Sequence, residues 1–328
     1  MYLEPVTPGF RTGGEGPRWD PVEAVAAGLA VKAAAVEAVS ALEGVGVRSI
    51  LLKGPSFEQW LYDDDEPRMY GDVDLLVDPR EYDAAAEVLE RLGYTQRSEE
   101  RAPTHVDHAK VWLRAGDRMH LDLHRTLVGP EVPAADVWAV LSGETETMTL
   151  QSSEVTILSE PARAVQVALH AVVHGPSTEK TLFELARAVE RAPSSVWEQA
   201  AELADRLGAE GAFATGLRMV PEGEELADRL GLTSTPTVET MMFAEEVPYS
   251  AWTVNRLAKT RGFVPKLRIV AQRLFPSPKF MRAWYPIARR GPVGLALAYP
   301  RRLAWMVTAT GPAVVAWVRA RRRARQAG

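Results

Sequence analysis

The chain has 328 residues, enough for two domains of ordinary size, and its 46% apolar and 25% charged residues are typical of a soluble globular protein. It contains no cysteine, which excludes disulfides and thiolate metal sites and fits a reducing cytoplasm, where we expect the protein to reside. The net charge of -5 is unevenly divided: residues 251–328 hold 17 Lys or Arg and no Asp or Glu, which leaves residues 1–250 with a net charge of -22.

The beginning of the chain predicts an irregular lead-in over residues 1–20, without the apolar core of a signal peptide, and then an Ala-rich helix over 21–42. A short buried strand over 47–52 follows, and the turn Lys53-Gly54-Pro55-Ser56 leads into the next helix. Free backbone N–H groups at such a helix start favour an anion such as phosphate, and the side chains of Lys53 and Ser56 can add contacts. The alternative is ordinary turn chemistry, since Gly-Pro is frequent in loops.

The stretch Arg68-Met-Tyr-Gly-Asp-Val-Asp-Leu-Leu-Val77 predicts a central strand that carries two carboxylates. Asp72 and Asp74 are two residues apart, so both side chains project from the same face of a strand. A divalent cation relieves their mutual repulsion, and Mg²⁺, with Mn²⁺ as a second choice, suits oxygen ligands. The alternative is a pair of solvated acids on an edge strand.

A second strand pair can supply a third carboxylate. After an amphipathic helix from Pro79, an extended piece at Tyr94 and a polar loop over 97–104, residues 106–113 and 119–127 predict a β-hairpin. Its second arm places His120, Asp122 and His124 on one face. Three carboxylates on neighbouring strands are what a two-metal phosphoryl-transfer site requires, whereas the two histidines leave a zinc site as the minor alternative.

These motifs, Leu51-Leu-Lys-Gly54, the stretch from Arg68 to Val77 and Leu121-Asp-Leu-His124, resemble the uncharacterised bacterial nucleotidyltransferase family of the polymerase-β-like nucleotidyltransferase superfamily. The resemblance implies metal-dependent transfer of a nucleoside monophosphate from an NTP. It implies metal binding by Asp72, Asp74 and Asp122, a phosphate-side turn at Gly54, and a triphosphate contact by Arg68. The chain departs from the superfamily at the usual Gly-Ser, which is Lys53-Gly54-Pro55-Ser56 here, and the gap from Gly54 to Asp72 is long.

The rest of the chain reads as mostly helical. Extended segments over 145–150 and 154–158 precede helical patterns that we expect over 161–174, 181–189, 196–207, 211–219 and 224–230. His170 and His174 share one helix face, which favours polar packing over a metal pair, and Lys180 and Arg187 can reach a nucleotide from this bundle.

Residues 251–328 combine aromatic side chains with arginines. The 16 apolar residues 303–318 are too few for a spanning helix, and Gly311-Pro312 predicts an interruption. We expect a pair of helices docked on the acidic part of the chain. The alternatives are peripheral membrane contact, nucleic-acid binding, and a solvated basic face over an aromatic core.

The sequence therefore predicts an α+β protein: a nucleotidyltransferase fold with a mixed sheet and helices over 21–158, followed by a helical C-terminal region. That region consists of a bundle over 159–250 and a basic helical module over 251–328. The expected activity moves an NMP, with AMP preferred, from an NTP to a hydroxyl or phosphate of an acceptor, which can be a small molecule, a peptide, a protein or RNA. The alternative is a non-catalytic binding protein of the same fold, antitoxin-like or a scaffold partner, which we would expect to have lost a carboxylate.

Overall fold

The computed structural model describes residues 20–97, 108–233 and 235–326. The predicted lead-in, except Asp20, and the predicted loop over 97–104, except Arg97, lie outside the described residues. Those that are described divide into two compact units. The first unit comprises residues 20–96 and 108–233, and the second comprises Arg97 and residues 235–326. The first unit thus joins the expected nucleotidyltransferase domain and most of the expected bundle. The expected basic module belongs to the second unit.

A seven-stranded mixed sheet forms the centre of the first unit. Its strands are β1 (Ser49–Leu51), β2 (Asp72–Val77), β3 (Tyr94–Gln96), β4 (Ala109–Arg114), β5 (Met119–His124), β6 (Thr145–Leu150) and β7 (Ser153–Leu158). They lie in the order β3-β4-β5-β2-β1-β7-β6. The central pairs are β2 with β5 and β1 with β7, both parallel, and β1 with β2, antiparallel. The hairpin prediction is confirmed by β4 and β5, and the two extended segments after it form a second hairpin.

Nine helices of the first unit are described: α1 (Pro21–Glu43), α2 (Pro55–Leu61), α3 (Tyr82–Arg91), α4 (Ala134–Leu141), α5 (Glu160–His174), α6 (Glu179–Arg191), α7 (Ser194–Arg206), α8 (Glu210–Leu217) and α9 (Pro221–Arg229). The Asp20 side chain accepts hydrogen bonds from the N–H groups of Val22 and Glu23 and so caps α1. The expected mixed sheet and helical C-terminal region are both confirmed.

The alternation of side chains along the strands separates two apolar layers. Val73, Leu75 and Val77 of β2 pack in the layer that includes α1 and α3. Leu76 faces the opposite layer, which α2, α4 and α5 to α8 help to form. Because side chains two apart point the same way, Asp72 and Asp74 share the Leu76 face. The two carboxylates therefore lie on the side of the sheet that α2, α4 and α5 to α8 cover.

The second unit is helical throughout its described elements: α10 (Val238–Ala244), α11 (Tyr249–Lys259), α12 (Phe263–Leu274), α13 (Pro278–Trp284), a short 3₁₀ helix (Pro286–Arg289) and α14 (Gly291–Gln326). Its core is small. Met242, Ala251 and Trp252 pack against Ala313 and Ala320 of α14.

For this unit the expected helix interruption is wrong, and the alternative of a basic face over a single aromatic core is contradicted as well. Gly311-Pro312 does not interrupt the helix, since α14 runs through both Pro300 and Pro312. A proline in a helix removes one backbone hydrogen bond, and buried residues of α14 on both sides of Pro312 continue the packing. The aromatic side chains also do not form one core, because Phe263, Phe275 and Trp305 are exposed. Docking of the module on the acidic part of the chain remains a prediction.

Within the helical layer of the first unit, α5 and α8 approach each other closely. A Cβ built on Gly216 of α8 would lie 2.2 Å from the backbone oxygen of Ala168 in α5. Ala has a higher helix propensity than Gly, so Gly216→Ala would stabilise a free helix. Here we expect the opposite, a loss of about 1–3 kcal/mol of the free energy of unfolding, because two backbones must separate.

Thermal unfolding measures this effect, with Gly116→Ala as the control, since a Cβ at Gly116 meets no atom within 4 Å. An unchanged or higher melting temperature for Gly216→Ala would show that α5 and α8 do not approach so closely.

Candidate active site

The carboxylates meet through the parallel pairing of β2 with β5. In this register Asp72 lies opposite His120, and Asp74 lies opposite Asp122. Neighbouring strands lie about 4.8 Å apart, so both pairs of side chains stand side by side on the helix-covered face. The structure therefore brings Asp122 next to the Asp72 and Asp74 pair, as the two strand patterns predicted.

Asp74 is the most buried of the three, with 3% of its surface exposed. Its Oδ1 atom lies 3.0 Å from Nζ of Lys53 and 2.9 Å from Nε2 of His124. Burial alone would raise the pKa of Asp74, but the charge of Lys53 and the contact with His124 outweigh it, so this pKa lies well below its usual range. Asp74 is thus ionised at neutral pH, and the Lys53 ammonium is its counter-charge.

The other two carboxylates have the opposite shift. Burial, together with the charge of Asp74, raises the pKa of Asp122 to about 6. The charge of Asp74, followed by burial, raises the pKa of Asp72. One lysine does not compensate three crowded carboxylates, and such an excess of negative charge favours a cation.

The donor atoms fit a divalent cation. Asp74, Asp122 and His124 each offer a ligand atom, and these atoms all lie within 4.8 Å of one another. The Nδ1 atom of His124 is buried without a hydrogen-bond partner. Carboxylate oxygens suit Mg²⁺ or Mn²⁺, and an imidazole nitrogen adds an option for a transition metal.

The turn between β1 and α2 lies next to this cluster through Lys53. Gly54 has a φ of 62°, and a Cβ there would lie 3.4 Å from the Tyr70 ring, so a side chain would be strained at this position. Ser56 is fully buried, and its hydroxyl donates to the backbone oxygen of Leu52 at 2.8 Å. Of the predicted nucleotide contacts in this turn, Lys53 reaches the carboxylates, whereas the Ser56 hydroxyl supports the turn from inside.

Arg68 is also buried, with 3% of its surface exposed, and it pairs with the fully buried Glu184 of α6. Its Nε donates to Oε1 of Glu184 at 2.7 Å and its Nη2 donates to Oε2 at 3.2 Å, while Nη1 donates to the backbone oxygen of Gly54 at 3.4 Å. The hydroxyl of Tyr62 donates to the same carboxylate. The guanidinium therefore joins the Gly54 turn to α6 within the protein interior.

Helices α5 and α6 add three basic side chains on this side. Lys180 donates to the backbone oxygen of Met69, and burial, with the nearby charge of Arg68, lowers its pKa to about 8 despite the opposing effects of Glu184 and Asp72. The rings of His170 and His174 are 4.3 Å apart. Burial, with the charge of Lys53, lowers the pKa of His174 to about 4, so this imidazole is neutral at physiological pH. Arg187 instead pairs with Glu66 and Asp63.

Sequence reasoning missed Glu184 and undervalued His124 and Lys180. His124 had a signal in the His-x-Asp-x-His pattern, and its ring contacts the carboxylate that the same analysis selected. For Lys180 the only signal in the sequence was its position in a predicted helix of the bundle. Glu184 had no local signal, because a glutamate in an amphipathic helix is normally solvated and its partner Arg68 is 116 residues away in sequence.

A mixed sheet with carboxylates paired across two parallel strands, beside a glycine turn, is the architecture of a nucleotidyltransferase. Residues 22–222 match the family described as uncharacterised nucleotidyltransferase, and the chain belongs to this family. By class the protein is therefore a nucleotidyltransferase enzyme. The chain matches no curated protein sequence.

The solved structures that are similar to the chain include two that cover more than half of it. One is the solution structure of the antibiotic-resistance factor ANT(2'')-Ia, with 16% identity, a TM-score of 0.39, and coverage of 58% of this chain and 96% of that one. The other is the crystal structure of an antigenic nucleotidyltransferase-like protein from Paracoccidioides brasiliensis, with 14% identity, a TM-score of 0.36, and coverage of 63% and 92%. Both TM-scores are below 0.5, so the assignment rests on the family match and the sheet.

The buried Arg68–Glu184 pair generates a stability prediction. Glu184→Gln leaves the Arg68 charge buried without its counter-charge, and we expect the free energy of unfolding at neutral pH to fall by about 3–5 kcal/mol. The matched control is Asp228→Asn, which breaks the exposed pair with Arg218 and should cost less than about 1 kcal/mol.

The same pair predicts a pH dependence. Arg68 lowers the pKa of Glu184, although burial opposes the shift, so the pair stabilises the fold above the unfolded-state pKa of Glu, about 4.3. This contribution should disappear as the pH falls through the lower folded-state pKa. Denaturant titration of the wild type and Glu184→Gln across the acid range measures it, and a constant difference at every pH would contradict the assignment.

Proposed function

We propose that the protein is a metal-dependent enzyme that transfers an NMP, with AMP preferred, from an NTP to a hydroxyl or phosphate of an acceptor. The acceptor class remains open among small molecules, peptides, proteins and RNA. The observation that carries the proposal is the pairing of Asp74 with Asp122 across parallel strands, with Asp72 two residues away on the same face.

Asp72, Asp74 and Asp122 would hold Mg²⁺ or Mn²⁺, with His124 as a further ligand or as the group that orients Asp74 from the side. When bound, such ions polarise the phosphoryl oxygens and offset the negative charge that develops during transfer. Binding would also relieve the repulsion by Asp74, which is the main cause of the raised pKa of Asp72 and adds to the effect of burial on the pKa of Asp122.

In the proposed step an acceptor oxygen attacks the α-phosphorus of the NTP. The bond from this phosphorus to the bridging oxygen breaks, and pyrophosphate leaves with the bond electrons. The acceptor proton would pass to Asp122, whose carboxylate stands beside Asp74 across the β2–β5 pair and can act as a base at the reacting centre. Asp122 would then return the proton to solvent.

The nucleotide contacts fall to the chain's own cations and to the Gly54 turn. Lys53 contacts Asp74, and the charge of Lys180 acts on Asp72, so the ammonium groups of both lysines would contact the triphosphate. Arg68 and Ser56 are buried and fully engaged, so we propose that they act on the nucleotide indirectly, by fixing the Gly54 turn.

The non-catalytic alternative would not need all the carboxylates. A protein that kept the fold only to bind a partner has no use for three crowded acids, because their repulsion opposes folding. The retention of Asp72, Asp74 and Asp122 supports the catalytic proposal.

The transfer assay uses each of the four NTPs, labelled at the α-phosphate, with Mg²⁺ or Mn²⁺ and with candidate acceptors that include the protein itself. The expected result is label on an acceptor with the wild type. Asp74→Asn should lower the rate by at least about a thousandfold, since the amide lacks the charge that holds the cation. It should also abolish the increase in melting temperature caused by Mg²⁺ with NTP.

The matched control is Asp65→Asn, at an exposed acid of the loop before β2, which should retain both the transfer and the thermal shift. A folded Asp74→Asn protein with wild-type transfer would contradict the metal-dependent mechanism.

Lys53→Met separates two roles of Lys53. If its ammonium contacts the triphosphate, NTP affinity should fall roughly ten- to a hundredfold, the value of one charge-assisted hydrogen bond. Affinity for the metal ion alone should stay the same or rise, because a competing cation is removed from Asp74. Calorimetric titration with metal alone, and then with NTP, measures both affinities.

Lys32→Met is the control, since this lysine pairs with Glu58. Unchanged NTP affinity in Lys53→Met would leave Lys53 as a counter-charge for Asp74 only.

A further inference from the structure

Helix α14 buries mainly small side chains and leaves several large apolar side chains exposed to solvent. The residues it buries are small, with one exception, and lie at helical spacing: Gly294, Ala298, Arg302, Ala313, Ala320 and Ala324. Several large apolar residues point outward: Val293 is 72% exposed, Leu297 56% and Val307 78%. Others, namely Leu295, Tyr299 and Trp317, are partly buried against the cores of the unit. An amphipathic helix of a soluble domain normally buries its large apolar side chains and exposes polar ones.

The outward side of α14 also lacks charge over a long distance. Among residues 292–315, all of which are described, the only exposed charged side chain is that of Arg301. A basic cluster follows directly, with Arg319, Arg321, Arg322, Arg323 and Arg325. An uncharged apolar stretch bordered by arginines matches a lipid bilayer, whose acyl region accepts the apolar side chains and whose headgroups accept the arginines.

Helix α12 repeats this composition. Residues 261–268 are all exposed, and they combine three apolar side chains, Phe263, Val264 and Leu267, with three basic ones, Arg261, Lys266 and Arg268. Residues 251–328 contain 17 basic and no acidic residues, so the charge complement of this unit is an anionic surface. The net charge of -22 on residues 1–250 disfavours such contact by that part of the chain.

We propose that the exposed sides of α12 and α14 form a peripheral binding surface for an anionic phospholipid bilayer.

A surface position fits α14 better than a spanning one. Within the described part of the chain, two helices have the length and composition of a membrane span, Val22–Glu43 and Gly291–Gln326. The most apolar stretch is 39% buried in the first but 11% buried in the second. The first belongs to α1 and packs against the sheet. In α14 the uncharged residues between Arg302 and Arg319 extend about 24 Å, less than the bilayer core of about 30 Å. Arg302 is also buried, and donates to the backbone oxygen of Arg273 at 2.9 Å and 3.1 Å.

The test is co-sedimentation of the full-length protein with vesicles of phosphatidylcholine alone or mixed with phosphatidylserine, at low and high salt. The expected result is binding to the mixed vesicles that weakens as salt rises, with little binding to phosphatidylcholine alone. Bound protein should be released by alkaline carbonate, because a surface-lying helix does not cross the bilayer.

Two sets of substitutions address the two components of the surface. Val293→Glu, Leu297→Glu and Val307→Glu together should abolish binding. Arg319→Ala, Arg322→Ala and Arg325→Ala together should weaken it on the order of a hundredfold, from about 1 kcal/mol per basic residue near an anionic surface. All six side chains are exposed, so the melting temperature should stay close to that of the wild type.

Matched controls lie in the first unit. Val22→Glu, Val25→Glu and Leu29→Glu change three equally exposed apolar residues of α1, and Arg91→Ala, Arg118→Ala and Arg229→Ala remove three exposed arginines. Both controls should bind vesicles like the wild type. The readout does not depend on nucleotidyl transfer, so this proposal and the proposed function fail separately.

Several results would overturn the proposal. These are no vesicle binding at low salt, equal binding to uncharged vesicles, or resistance to alkaline extraction, which indicates a spanning helix. A loss of binding in the α1 control would place the surface elsewhere. Binding of RNA or DNA without vesicle binding would assign the surface to nucleic acid. A dimer that does not bind vesicles and that the three Glu substitutions dissociate would assign it to a second copy of the chain.

Discussion

The arrangement of the first unit depends on one buried ion pair, between Arg68 and Glu184. Burial of two charges costs several kcal/mol for each, and the structure offsets this by satisfying both groups: Glu184 accepts from Arg68 twice and from Tyr62, and Arg68 also donates to Gly54. Between α2 and β2 the chain has no regular structure, so its position has to come from side chains. The pair fixes the Gly54 turn before α2, and the Arg68 segment that leads to Asp72, against α6. Residues far apart in sequence thereby hold the nucleotide side and the carboxylate side in one place.

The three carboxylates are held in an electrically unbalanced state. Lys53 and His124 both contact Asp74, which lowers its pKa against the effect of burial. The charge of Asp74 and burial raise the pKa of Asp72, and burial and the charge of Asp74 raise the pKa of Asp122. Opposite shifts within one cluster mark groups with different tasks. In the proposed enzyme the permanently ionised Asp74 would anchor the cation, whereas Asp122 would keep the capacity to bind a proton. The same imbalance explains why a cation would be bound tightly there, since it removes repulsion that the folded chain otherwise has to tolerate.

The sequence predicted the parts of the site that local patterns encode. Alternation along β2 put Asp72 and Asp74 on one face, and the hairpin pattern put Asp122 on a strand that proves to be the neighbour of β2. It could not predict the parallel register or the contact between Arg68 and Glu184, because both result from long-range packing. It also misjudged α14. When both sides of a helix are apolar, the pattern does not reveal which side packs. In α14 the side with the small residues is buried, because other helices of the second unit pack closely against its alanines. The helix continues through Gly311-Pro312 because alanines beyond this point are packed against the rest of the unit.

The division of charge along the chain has a consequence for the substrate. NTP is a polyanion, and a body with a net charge of -22 repels it at distances up to the Debye length of about 8–10 Å. Attraction therefore has to come from groups within contact distance, and in the first unit these would be the proposed cation together with Lys53 and Lys180. Burial lowers the pKa of Lys180 to about 8, so it is the weaker of the two ammonium groups until a phosphate restores its charge. In the proposed enzyme such a site would favour ligands that bring both negative charge and a divalent cation, and it would disfavour anions that lack the metal.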